Sequence, residues 1–152
     1  VSAHAPVKSI SNETTFAEDT ADPDLLEGHI WRMAEKVASR AKARGLAGRV
    51  VVLKLKTADH RVITRRHALR DPTQLADSLF REAKALFDAV PAGQGYRLLG
   101  VGLSDLVSEQ DADRVGDLLD PGAARRAQAE RATDAIRARF GPDAILKGRA
   151  LR

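Results

Sequence analysis

The sequence contains no cysteine. That excludes disulfides and thiolate–metal centres, and it fits a reducing compartment without requiring one. Aromatic residues are scarce, with one Trp, one Tyr and four Phe in 152 residues, so a core has to be built mainly from Val, Leu, Ile and Ala. No apolar run approaches the roughly 18 residues of a membrane span, and no membrane partner is expected. The opening residues, VSAHAP, carry neither the charged nor the apolar region of a signal peptide. They also lack an initiator Met, as expected of a piece cut from a longer protein. Positive charge is plentiful: 25 Lys and Arg stand against 21 Asp and Glu, with an isoelectric point near 9.8. This balance suggests a polyanionic partner without proving one. The length suits one compact domain, or a domain of about 100 residues with an appendage.

Three Asp-Pro pairs, at 22–23, 71–72 and 120–121, each stand at the head of a helical pattern. Asp caps a helix N-terminus and Pro is tolerated at the first helical position, so each pair predicts a helix start. After the first, Leu26, Ile30, Met33, Ala34, Val37 and Ala41 recur on one face, and Gly45 supplies the stop. After the second, Ala76, Leu79, Phe80, Ala83, Leu86, Phe87 and Val90 form the stripe, closed by Pro91. The third helix, about residues 121–140, is Ala- and Arg-rich, with a thin apolar face of Ala132, Ala135, Ile136 and Phe140. Strand patterns lie between: KSISNETTF at 8–16, RVVVLKLKT at 49–57, RVITRRHAL at 61–69 and YRLLGVGLS at 96–104. The order β-α-β-β-α-β predicts an α+β, ferredoxin-like split βαβ fold, a four-stranded sheet with both helices on one face.

The uncovered sheet face is where function is expected. Alternation turns Ile10 and Phe16 inward, leaving Ser9, Ser11, Glu13 and Thr15 outside. Lys54, Lys56, Arg65, His67, Gly100, Gly102 and Ser104 are expected beside them. Hydroxyls and backbone N–H groups donate to phosphate, cations neutralise it, and glycine permits close backbone approach. No aromatic occupies a stacking position, which argues against a base-stacking reader of single-stranded RNA. Backbone binding that tolerates any sequence is the expectation; mere solvation of a charged strand is the plain alternative. Glu13 is out of place on a phosphate-binding face. It is expected either to pair with a neighbouring Lys or Arg or to mark the edge of the footprint.

Four stretches together resemble the C-terminal little-finger domain of Y-family translesion DNA polymerases of the bacterial polymerase IV type. They are KSISNETTF, RVVVLKLKTADHRVITRRHAL, DPTQLADSLFREAKALF and YRLLGVGLSDL, spanning about residues 7–107 in the family's order. The resemblance implies the same β-α-β-β-α-β fold, lying in the major groove of primer–template duplex and gripping its backbone. It gives Lys8, Ser9 and Ser11 as phosphate contacts, and it makes Arg65, in the family's Thr-Arg pair with Thr64, the strongest single candidate, with His67 on the same face. Two departures stand out. His60 replaces an aromatic, which is expected to loosen the hairpin, and Arg66-His67 replaces smaller residues and adds positive charge. The implied parent is a bacterial, cytoplasmic enzyme, nucleoid-associated when acting on DNA, whose nucleotidyl transfer uses Mg2+ held by carboxylates of an upstream palm domain. The acids Glu13, Asp59, Asp77 and Glu82 are scattered and do not build such a centre. His4, His29, His60 and His67 lack metal-ligand spacing. No cofactor or catalysis is therefore expected of this chain, which is expected to be monomeric.

The expected organisation is a linker at 1–7, the DNA-binding domain at 8–107, an acidic linker at 108–120 and a basic helix and tail at 121–152. The linker carries Asp117-Leu118-Leu119, similar to the family's clamp-docking peptide but without its Gln and aromatic. The two leucines equally suit packing on the third helix. Two other readings of the whole stay open: a protein-interaction module whose partner is the sliding clamp, and the same domain in a non-catalytic polymerase relative.

Overall fold

Helix α1, Pro23–Ala43, starts where the first Asp-Pro pair predicts. The Asp22 side chain accepts from the Asp24 N–H at 3.0 Å, and Gly45, at φ 65°, follows the helix end. The structure, a computed structural model, describes residues 9–113 and 121–140. Its other elements are β1 Ser9–Thr20, β2 Leu46–Thr57, β3 Val62–Thr73, α2 Ala76–Asp88, β4 Tyr96–Ser108, a 3-10 turn at Glu109–Asp111, and α3 Pro121–Phe140. The sheet runs β1-β4-β2-β3 with every neighbouring pair antiparallel. Both crossovers are thus split: β4 lies between β1 and β2, and β2 lies between β3 and β4. Helices α1 and α2 cover one face, giving the expected α+β, β-α-β-β-α-β fold.

The predicted stripes form the core. Leu26, Ile30, Trp31, Met33, Ala34, Val37, Ala38 and Ala41 of α1 meet Ala76, Leu79, Phe80 and Ala83 of α2. Beneath them lie Ile10, Val51, Leu53, Leu55, Leu99, Val101 and Leu103 from the strands. Trp31 and Phe80 pack edge to face, with ring centroids 5.3 Å apart. Fully burying one of these aliphatic side chains contributes about 1.5–3 kcal/mol, so the long aliphatic stripe makes up for the scarcity of aromatics. In the β2–β3 hairpin, His60 takes φ 68° and its ring nitrogen Nε2 lies 2.8 Å from Arg97 Nη1. The imidazole therefore has a partner from β4, where an aromatic was absent.

Two expectations need correction. Asp71-Pro72 does not open α2: both residues belong to the end of β3, and the helix begins four residues after Pro72, at Ala76. Pro can occupy an edge strand because its missing N–H is not needed on the open side. The fold also continues past residue 107. Asp113 N–H donates to Pro72 O at 2.8 Å, and its carboxylate accepts from Thr73 Oγ1 at 2.7 Å. Burial there raises the Asp113 pKa above the usual carboxylate value, opposed by the Thr73 hydrogen bond.

Helix α3 docks through its polar side rather than its thin apolar one. Ala132, Ala135 and Ile136 are exposed, whereas Ala127 and Glu130 are buried; the Phe140 side chain lies outside the described ones. Leu75, the residue preceding α2, has no capping side chain. Glu130 caps that helix instead, accepting from Ala76 N–H at 2.9 Å and Asp77 N–H at 3.0 Å. Lys42 bridges Glu130 and Asp134 at 2.5 and 2.6 Å, Arg137 meets Glu35 at 3.1 Å, and Arg126 meets Asp77 at 3.3 Å. A helix of Ala and Arg has little apolar area to bury, so its few charges decide which side docks.

Candidate nucleic-acid interface

Strand register composes the uncovered face from cross-strand rows. Taken from β1 through β4 and β2 to β3, these read Ser9–Ser104–Val50–Ala68, Ser11–Gly102–Val52–Arg66, Glu13–Gly100–Lys54–Thr64 and Thr15–Leu98–Lys56–Val62. Directly opposed residues share a face of the sheet. Ser9, Ser11, Lys54, Lys56, Gly100, Gly102 and Ser104 therefore all stand on the open face, as alternation predicts. No aromatic side chain occurs in these rows.

Arg65 and His67 do not stand there. Arg65 pairs with Leu53 and His67 with Val51, both core residues, so these two point to the helix-covered side. A contact agrees for His67, whose Nε2 lies 3.5 Å from Glu82 Oε2 on α2, while Arg65 Nη1 donates to the backbone Thr64 O of its own strand at 3.2 Å. The cation that β3 does place on the open face is Arg66, whose Nη2 lies 3.2 Å from Ser104 Oγ. Sequence reasoning missed it by one residue of phase. The signal available was the pairing itself, since any cation opposite Val52 must share its face.

The two glycines of β4 have a neighbour on β1. A Cβ on Gly100 would come within 3.0 Å of Glu13 Cβ, and one on Gly102 within 3.1 Å of Ser11 Cβ. Their bareness opens a shallow trough of about 250 Å3 bordered by Ser9, Ser11, Glu13, Lys54, Gly100 and Gly102, with Ser104 at one end. Across it, Lys54 Nζ lies 3.4 Å from Glu13 Oε2, and both side chains are about half exposed. Of the two expectations for Glu13, pairing is the one realised. The edge of β1 is held as well, by Arg40 of α1 donating to Ser11 O at 2.9 Å. A larger cleft of about 410 Å3 lies under α3, but its Lys42, Glu130, Asp134 and Arg137 are the groups that dock that helix.

Lys8, Asp117, Leu118 and Leu119 lie outside the described residues, as does the tail after residue 140. Among the described residues no three His, Asp or Glu side chains gather to hold a metal ion, and no helix is long and apolar enough to cross a membrane. The acids among the described residues thus do not gather into a two-metal polymerase centre.

Comparison with known proteins follows the same lines. Residues 7–118 match the impB/mucB/samB family C-terminal domain. DNA polymerase IV of Caulobacter vibrioides is 45% identical over 146 residues, 95% of this chain and 36% of the relative. DNA polymerase IV 1 of Mesorhizobium japonicum is 46% identical over 141 residues, 93% of this chain and 32% of the relative. The chain therefore spans about a third of the length of these curated relatives. Among solved structures, the little finger domain of PolIV in complex with the beta-clamp processivity factor is similar at TM-score 0.55 and 26% identity. The match covers 63% of this chain and 86% of that one. The chain belongs to the impB/mucB/samB C-terminal domains, the little-finger domains of Y-family DNA polymerases.

Proposed function

We propose that this domain holds primer–template duplex for an error-prone translesion polymerase, with its open sheet face in the major groove. The observation that carries the reading is one uncovered face combining serine hydroxyls, a glycine-floored trough and the cations Lys54, Lys56 and Arg66. Hydroxyl and N–H donors position phosphates, and the cations replace the counterions that the duplex releases. Hydroxyls and cations directed to phosphates make a grip that is indifferent to sequence, as copying past damaged bases requires. Lys8, adjoining Ser9, belongs to the same contact by family resemblance. Nucleotidyl transfer belongs to upstream domains, where carboxylates hold Mg2+; no step of it is assigned to residues of this chain.

The test is binding of mixed-sequence primer–template by the 152-residue chain across a salt series. Affinity should fall steeply with salt, and Lys54→Ala with Arg66→Ala should weaken all sequences alike, flattening the log–log slope by about 1 for Arg66 and by a smaller amount for Lys54. Arg65→Ala should have a much smaller effect. Salt-independent binding, or an Arg65→Ala defect as large as that of Arg66→Ala, sinks the open-face reading.

A second partner is proposed from one observation: a similar PolIV little finger was solved with the beta clamp. In this chain Asp117-Leu118-Leu119 is the segment that we assign to clamp docking, as an extended peptide whose leucines fill an apolar pocket.

A further inference from the structure

Glu13 is the sole carboxylate in the four cross-strand rows of the open face, among Lys54, Lys56 and Arg66. Three observations fix what it does there. Its Oε2 lies 3.4 Å from Lys54 Nζ. Gly100 lies between the two in the row and offers no side chain, so nothing separates carboxylate from ammonium. Finally, the pair spans the trough that the proposed function assigns to the phosphate backbone.

A carboxylate so placed is unnecessary for stability: exposed ion pairs contribute little, and Lys54 would be soluble alone. For a phosphodiester arriving at the trough the same carboxylate matters. Lys54 must exchange a partner it already has for one of like charge, so neutralising that phosphate yields less free energy than a free lysine would. We propose that Glu13 is an affinity-setting residue, which holds Lys54 partly neutralised and keeps the grip on the DNA backbone weak enough to be released. This rests on the reading of the open face as the duplex-binding surface. It assigns to the domain a specific means of staying loose: one ion pair that competes with each phosphate entering the trough.

The test compares the full chain with Glu13→Gln, Glu18→Gln and Lys54→Ala, the last alone and combined with Glu13→Gln. The probe is mixed-sequence primer–template at several salt concentrations. Glu13→Gln should tighten binding about two- to fivefold and steepen the slope of log affinity against log salt by up to about 0.9, one further phosphate fully neutralised. Glu18→Gln removes the same charge from an exposed position farther along β1 and should change binding little. In the Lys54→Ala background the Glu13→Gln gain should vanish. Unchanged or weaker binding by Glu13→Gln, an equal gain from Glu18→Gln, or a gain that survives without Lys54 overturns the inference. Absence of DNA binding by the unsubstituted chain overturns the open-face reading along with it, whereas binding indifferent to Glu13 overturns this inference alone.

Discussion

Single atoms decide how closely the strands approach, and Gly48 is the tightest case. A Cβ there would sit 2.8 Å from Leu103 Cδ2 and 2.9 Å from Leu103 Cβ, closer than real Cβ contacts allow. Leu103 is fully buried and cannot step aside. Gly48→Ala is therefore expected to cost about 1–3 kcal/mol, read as a lower denaturation midpoint at unchanged m-value; Gly100→Ala, facing a 3.0 Å contact on the exposed side, should cost less. A stability unchanged by Gly48→Ala would show that β4 can shift to admit the methyl group. These glycines were visible in the sequence, but their neighbours were not. Read alone, Gly100 and Gly102 suit a ligand's close approach; the register adds that Glu13 and Ser11 of β1 already lean over them. The same missing Cβ atoms that admit β1 also leave the trough.

Element succession was legible and element orientation only partly so, and β3 is the instructive strand. β2 and β4 are flanked on both sides and packed beneath helices, so Val51, Leu53 and Leu55, or Leu99, Val101 and Leu103, advertise their inner face. β3 is an edge strand whose residues from Thr64 to Ala68 are exposed on both faces. With cations at 65, 66 and 70 and no apolar alternation to anchor the phase, a slip of one residue exchanges the faces. Helix α3 was legible as a helix, while its orientation was not, because the side that docks is set by Glu130 finding two amides on another helix. Replacing Glu130 with Ala should cost about 1 kcal/mol, as loss of a cap does, and speed hydrogen exchange at Ala76 and Asp77 several-fold. Glu130→Gln should restore part of the protection through its remaining oxygen. Exchange at those amides indifferent to both substitutions would mean that α3 does not cap α2 in solution.

At the scale of the molecule the two sides carry different charge arrangements. On the open face Lys54 pairs with Glu13 across the trough, while the helical side spends Lys42, Arg126 and Arg137 on ion pairs between helices. The net charge of +4 therefore does not say how the charges are divided between the two sides. The two proposed partners should separate accordingly. Leu118→Ala with Leu119→Ala is expected to abolish capture of the purified chain by immobilised sliding clamp while leaving duplex affinity within twofold. Capture that persists would move the clamp contact onto the folded sheet and helices. The cap supplied by Glu130 also bears on how this domain can be exchanged with its relatives. The matched family region ends at residue 118, yet two amides of α2 are satisfied from residue 130. A chimera joined at 118 would give α2 whatever cap the recipient happens to carry, whereas a graft carried through residue 140 brings its own. The region that the family model matches and the unit that can be transplanted intact are not the same length.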